Sequence, residues 1–318
     1  MSTPAAPSIS AIVPLYGTFD SRRAEVTLES LSRQQGIDLQ IVIAESGHSP
    51  RLQSIAASID ATYSFRRIDS ATEMFSPGKI RNDALLSSDR HFIYATDADI
   101  VIQNDHYLLE LIALLRSRQS LALRWPPMRR LPIHCFEQFC DMSVNEGLGR
   151  ALSRLHRPNE YVALTNDTAY DLKIRKRPGS LNDYDDGLIF TSTVEDYERY
   201  MADPSLRGLE PLIFHQVRHI GGLVARRTQL LAVGGYCEQF LAWGNEDTDL
   251  QWKLAQACRL EFIPDEDRFE VLHLDHAKGH FCPSQWQRNK ALKLTREARP
   301  LDEIVAADRR LLDARQST

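Results

Sequence analysis

The sequence predicts an α/β fold with a mostly parallel central sheet flanked by helices. Three observations predict it. Short apolar runs alternate with helically spaced segments through residues 9–125, the pattern of strands joined by crossover helices. The alternation returns from residue 218 onward. The composition, 43% hydrophobic and 25% charged over 318 residues, belongs to a chain that can fill a core, and at this length roughly three quarters of the unfolded surface can be buried.

The elements follow in order. SAIVPL is a buried strand closed by Pro14, Tyr16 and Gly17. Ala24, Leu28 and Leu31 lie at helical spacing, and Gly36 ends that helix. LQIVIAE is a second strand, KIRNDALLSS a helix, and HFIYAT a third strand running into DADIVI. HYLLELIALLRSR is an amphipathic helix and LALRW a strand. Residues 126–217 are irregular and polar, as in NDTAYDLKIRKRPGSLNDYDDG. Such a stretch reads as a binding loop or lid, or equally as a surface insertion. IGGLVAR is again a strand, RTQLLAVGG a short helix closed by Gly234 and Gly235, and DTDLQWKLAQAC a helix. EFIP and FEVLH are strands, and the tail from Ser284 forms one or two helices. The division is one domain over 1–283, in pieces 9–125, 126–217 and 218–283, with a helical tail over 284–318.

Charge and composition exclude several classes. Thirty-eight Lys and Arg against 43 Asp and Glu leave a net charge of −5, a poor footprint for a nucleic-acid binder. MSTPAAPSIS has no positively charged start and does not read as a signal peptide. LLELIALL contains Glu110 and is far short of the ~20 apolar residues of a membrane span. Five cysteines without a CxxC pair do not read as a disulfide framework. The expectation is a cytoplasmic protein, with contact at the inner face of the membrane left open.

Four clusters carry chemistry. Asp97-Ala98-Asp99 ends an apolar strand, and carboxylates two apart on extended chain point the same way. At the carboxyl end of a parallel strand they face the ligand crevice and suit a divalent cation holding phosphate oxygens. The alternative is an ordinary turn, where Asp is common. Residues 234–256, GGYCEQFLAWGNEDTDLQWKLAQ, bring Phe240, Trp243 and Gly244 up to Glu246, Asp247 and Asp249. Asn245 as N-cap and helix-dipole complementarity account for one or two of these acids; a general base accounts for the arrangement as a whole. His273, with His276 and His280 after it, offers imidazole for a manganese-like cation, or is structural; the spacings do not fit a standard zinc site. FSPGKIRNDA opens a helix at Gly78 with Lys79, Arg81 and Asn82 in its first turn, an anion-attracting end, or a solvated basic face.

Together these pieces resemble the GT-A glycosyltransferases, a Rossmann-like fold. AIVPLYG, IVIAES, FSPGKIRN and the D-x-D resemble the family 2 pattern, and GGLVARRTQLLAVGGYCEQFLAWGNEDTDL is similar to the C-terminal motif of β-1,4-galactosyltransferases and polypeptide N-acetylgalactosaminyltransferases. The resemblance implies that Asp97, Asp99 and His273 hold Mn²⁺ (or Mg²⁺), with His276 or His280 as substitutes for His273. It implies that Pro14, Tyr16 and Glu45 meet the nucleoside, and that Lys79, Arg81, Asn82, Asp97 and Ala98 meet the rest of the donor. Trp243 and Gly244 would frame the sugar pocket, Glu246 would contact the acceptor, and Asp247 would be the base. Glu45 stands where the family usually has Asp, and Asn245 replaces a glycine.

The implied activity is metal-dependent, inverting transfer from a UDP-sugar to a small-molecule, glycan or lipid-linked acceptor hydroxyl. The retaining N-acetylgalactosaminyltransferases carry Asn where Asp247 stands, so Asp247 favours inversion. A retaining transferase, a hydrolase and a non-catalytic sugar-binding module remain as alternatives. A nucleotidyltransferase is disfavoured because YGTFDSRR lacks its glycine run.

Overall fold

The computed structural model describes residues 6–17, 19–68, 74–118, 121–131, 133–156, 160–164, 172–176, 189–190, 218–276 and 282–316. The first half runs β1 (Ser8–Tyr16), α1 (Ser21–Ser32), β2 (Asp38–Gly47), α2 (Gln53–Ser58), β3 (Thr62–Arg67), α3 (Pro77–Ser87), β4 (Phe92–Ala95), β5 (Ile100–Ile102), α4 (Tyr107–Arg116) and β6 (Leu121–Arg124). Then come β7 (Met128–Leu131), α5 (Ile133–Glu146), α6 (Leu148–Ser153), β8 (Leu155–His156), β9 (Glu160–Leu164), β10 (Leu172–Lys176) and β11 (Ile189–Phe190). The chain closes with β12 (Leu223–Arg226), α7 (Arg227–Ala232), α8 (Glu246–Ala257), β13 (Arg259–Phe262), β14 (Val271–Leu274), α9 (Pro283–Glu297) and α10 (Leu301–Gln316).

The expected strands and helices are present, and the fold class is the one the sequence predicts. Among the described residues the main sheet has seven strands in the order β13-β6-β12-β4-β1-β2-β3. Neighbours are parallel except at β12, which is antiparallel to both β4 and β6. The alternation of the pleat sorts β1 into two cores. Ile9, Ala11, Val13 and Leu15 pack with α1 and α4, while Ile12 packs with α3 and α8 on the other face. Both faces are covered, which is why β1 reads as a nearly continuous apolar run.

The irregular stretch holds order that the sequence reading missed. Phe136, Phe139 and Cys140 of α5 recur at helical spacing and fill a third core with Leu272 and Leu274. The sequence pattern also gives no expectation for strand β3 or helix α2. Most of NDTAYDLKIRKRPGSLNDYDDG, and His280, lie outside the described residues.

Two features place the site. The antiparallel β12 brings Gly221 and Gly222 beside the end of β4, with Leu223 opposite Ala95. A second sheet, β5-β14-β7, pairs His273 with Ile100, and the Leu274 amide donates to the Asp99 carbonyl at 2.8 Å. Register therefore sets His273 next to Asp99.

The tail helices are bolted to α8. Arg296 donates to both carboxylate oxygens of Asp249 (2.7 and 3.1 Å) and of Asp308 (3.2 and 2.6 Å). Lys253 Nζ reaches Asp308 at 2.5 Å and the Gly235 carbonyl at 2.6 Å. All four side chains are buried, so two cations and two carboxylates balance. Removing one partner leaves a buried charge uncompensated, which costs about 3–5 kcal/mol. Arg296→Ala should lose about that much unfolding free energy in urea titration; a loss under ~1 kcal/mol, the range of an exposed ion pair, would mean the network contributes nothing more than surface charge.

Candidate active site

The ends of β1 and β4, the start of α8 and the β14 strand surround a cleft of about 270 Å³. Its floor is organised by Arg81. This guanidinium sits on α3, 1% exposed, 2.5 Å from Asp97 Oδ1 and 3.5 Å from Asp247 Oδ2. Burial alone would pull its proton off, but Asp247 and Asp97 hold its pKa well above the ordinary value. Gly221 makes room for this pair: a Cβ there would lie 2.8 Å from Asp97 Oδ2 and 2.9 Å from His219 Cε1.

The acids of α8 divide. Glu246 and Asp247 line the cleft, whereas Asp249 is committed to Arg296. Burial pushes the Asp247 carboxyl well above the usual range, with Arg81 opposing and Glu246 and Asp97 adding to the rise. Glu246 is raised as well, again chiefly by burial. A carboxylate with a raised pKa accepts a proton more readily than one at the surface. Asn245 stands at the N-cap position but does not cap: its backbone is left-handed, φ 79°, and its side chain makes no cap bond.

Beside this lies a second group. Among the described residues Asp99, His273 and His276 each bring one ligand atom within 4.8 Å of the others. Asp99 Oδ2 is 3.2 Å from His273 Nε2 and 2.9 Å from His276 Nε2. Burial would raise the Asp99 pKa, but the two imidazoles hold it well below the usual range. His273 is raised: burial opposes the proton, and Asp99 and Asp275 outweigh it. The ring's other nitrogen, Nδ1, is fixed at 2.7 Å by Asp275, which Arg130 pairs in turn at 2.7 Å. A carboxylate behind an imidazole orients it as a ligand. Asp97 stands apart from this group, drawn to Arg81.

The other expected residues sort as follows. Pro14, Tyr16, Ala98, Trp243 and Gly244 line the cleft, and Tyr16 stacks on Phe75 at 4.3 Å. Glu45 does not: it is enclosed, accepting from the Arg51 amide (3.1 and 3.0 Å), the Leu52 amide (3.1 Å) and the Tyr63 hydroxyl (2.7 Å). It anchors the chain into α2 and has no face left for a nucleoside. Lys79 and Asn82 are also outside the cleft. Helical geometry separates them from Arg81, since neighbours around a helix are ~100° apart. Asn82 is taken up by the turn at 235–238, donating to the Tyr236 carbonyl at 2.9 Å and accepting from its amide at 2.8 Å. Between His273 and His276 the structure makes no choice, because both meet Asp99. The sequence reading singles out none of His219, Arg130, Asp275 and Trp286; of these, only Asp275 carries a sequence signal, its place between the two histidines of HLDH.

Residues 214–277 match the family described as the N-terminal domain of galactosyltransferase. The matched stretch contains Glu246, Asp247, His273 and His276, and the match agrees with the resemblance of residues 221–250 to a galactosyltransferase motif. No curated protein sequence matches the chain. Solved structures similar to it include TarS from S. aureus, at 13% identity over 95% of this chain and 42% of that one, TM-score 0.45. TarS 1–349 in complex with UDP is similar at 15% identity over 95% and 70%, TM-score 0.46. The mannosyltransferase PcManGT from Pyrobaculum calidifontis, in complex with GDP-Man and Mn²⁺, is similar at 13% identity over 97% and 72%, TM-score 0.46. The chain thus spans 42% of the full TarS chain.

The raised Asp247 pKa has a thermodynamic sign. The folded state binds this proton more tightly than the unfolded chain, whose Asp titrates near ~3.9, so the stability it contributes is present at low pH and lost as pH rises. Asn is neutral throughout. Unfolding free energies of wild type and Asp247→Asn, measured without ligand from about pH 4 to 7, should therefore diverge, with the variant gaining as pH rises. A difference that is flat or runs the other way would contradict the burial argument.

Proposed function

We propose that the chain transfers a sugar from a UDP-sugar to an acceptor hydroxyl with inversion at the anomeric carbon. The observation that carries the reading is the shared guanidinium: Arg81 stands between Asp97, at the end of β4, and Asp247, at the start of α8, inside the segment-lined cleft. One positive charge there can meet the leaving diphosphate while a carboxylate with a raised pKa faces the incoming hydroxyl. The presence of an acid at 247 supports inversion over retention.

The roles follow from position. Tyr16, backed by Phe75, and Pro14 offer the nucleoside a flat wall. Arg81 meets the diphosphate, and Asp97 lies within reach of the ribose. Glu246 accepts from the acceptor. Asp247 takes the proton as the acceptor oxygen bonds to the anomeric carbon and the bond to the diphosphate oxygen breaks on the opposite face. Such a transition state is oxocarbenium-like, and preorganised charge at the leaving group lowers its energy.

Asp99, His273 and His276 are the residues that would hold the divalent cation. One carboxylate with two imidazoles suits Mn²⁺ better than Mg²⁺, which prefers all-oxygen ligands. When bound, the cation supplies Lewis-acid charge to the departing diphosphate. No helix among the described residues is long and apolar enough to cross a membrane, and the proposed setting is the cytoplasm, with a soluble, glycan or lipid-linked acceptor.

Two measurements test this. UDP with Mn²⁺ should stabilise the protein against heat, by ~2.7 kcal/mol at one hundred times the dissociation constant. Asp99→Asn should remove the manganese-dependent part, and Asp275→Asn should weaken manganese binding about 10–100-fold. Indifference of the wild type to every nucleotide plus metal would end the donor assignment. Asp247→Asn should lower turnover of UDP-sugar by about 10²–10⁴-fold while keeping donor binding; an active variant would show that another group is the base. A rate of donor cleavage that ignores every added acceptor would favour the hydrolase.

A further inference from the structure

Trp286 is a cleft-lining aromatic that none of the roles above uses. It projects from α9, one turn before Asn289, and stands half-buried in the same cleft as Trp243, Glu246 and Asp247. Its indole rests directly on Gly244. A Cβ at 244 would lie 3.1 Å from Trp286 Cδ1, and the glycine's φ is +102°, so only glycine satisfies both the turn and the indole.

The placement is held from below. Asn289 is buried, and its Nδ2 donates to the carbonyls of Leu241 (2.8 Å), Trp243 (3.3 Å) and Gly244 (3.1 Å). Its Oδ1 accepts from Gln285 Nε2 at 3.0 Å and from the Leu241 amide at 3.4 Å. The loop carrying Trp243 is thereby clamped to the helix carrying Trp286. The far end of α9 is tied through Arg296 to Asp249, two residues after Asp247. Base, loop and indole form one rigid unit.

We infer that α9 is part of the acceptor site, with Trp286 as the platform on which a sugar ring of the acceptor stacks and Asn289 as the positioning residue of the 241–244 loop. The inference rests on the transferase reading of the cleft and names its acceptor class. A sugar presents an apolar C–H face and a rim of hydroxyls. The indole and the side chains of Glu246, Asp247 and Thr248 line one cleft, and together they match both surfaces. An acyl chain would want an aliphatic wall, and the α8 residues lining this cleft are Glu246, Asp247 and Thr248. The nucleoside has its own aromatic wall at Tyr16 and Phe75, which leaves the indole to the other substrate.

Calorimetry on the full chain saturated with UDP and Mn²⁺ tests this, using methyl glycosides of the common hexoses and N-acetylhexosamines as probes and a short alkyl phosphate as the lipid-like control. At least one glycoside should bind the wild type saturably. Trp286→Ala should weaken it about tenfold or more, as for truncation of a buried aromatic anchor, and Trp286→Phe should restore most of the loss. Stabilisation by UDP with Mn²⁺ should be equal in all three, which a folding defect would not leave unchanged. The inference is overturned if no glycoside binds the wild-type complex, if Trp286→Ala binds as tightly as wild type, or if the alkyl phosphate binds where every glycoside fails. A wild type that UDP and Mn²⁺ do not stabilise would instead strike the transferase reading itself, and this inference with it.

Discussion

One buried guanidinium holds the cleft together. Taking Arg81 out of water is costly unless counter-charges stand within contact, and Asp97 and Asp247 supply them from two different parts of the fold. That requirement forces α3, the end of β4 and the start of α8 to meet at one point. The backbone pays for the approach in glycines: a Cβ at Gly78 would lie 2.2 Å from the Cys237 carbonyl oxygen, and one at Gly235 2.5 Å from Asn82 Oδ1. These contacts press α3 against the 234–238 turn, so the residues that look like a phosphate-binding helix start also act as packing.

The sheet topology explains why three distant segments share one site. Without β12, β4 would be followed by β6, and the end of β4 would face only its own loop. The antiparallel insertion puts Gly221 against Asp97, and the small sheet then delivers His273 to Asp99 by register. A one-residue slip of β14 against β5 would turn His273 to the opposite face. Burial of Leu272 and Leu274, with His273 between them, pins the register that places the imidazole.

Much of this was legible in the sequence. The acids at 97, 99, 246 and 247 and the histidine at 273 were visible because chemistry clusters them in short strings, and the strands of the main sheet because both faces are apolar. What was not legible depends on direction rather than identity. Glu45 occupies the expected end of β2, but its side chain turns to the amides of Arg51 and Leu52. Lys79 and Asn82 share a short segment with Arg81, yet the helix sends only Arg81 to the cleft. Arg130, His219 and Trp286 are single residues in unremarkable strings, and only the fold brings them to Asp275, Asp97 and Gly244.

The start of α8 shows how stability and chemistry share three acids in four residues. All three enjoy the helix N-terminus, which favours negative charge. Asp249 adds full pairing with Arg296 and Lys253, and becomes structural. Asp247, two residues earlier and so about 200° around the helix, has half of Arg81 and the nearby charges of Glu246 and Asp97. Its anion is under-compensated, which is why burial wins and its pKa rises. The difference between the two is therefore not residue type but the number of cations each can reach. Arg296 and Lys253 hold α8 rigid on one side so that an acid on the other can stay poorly paired, and a poorly paired carboxylate is the one able to take a proton.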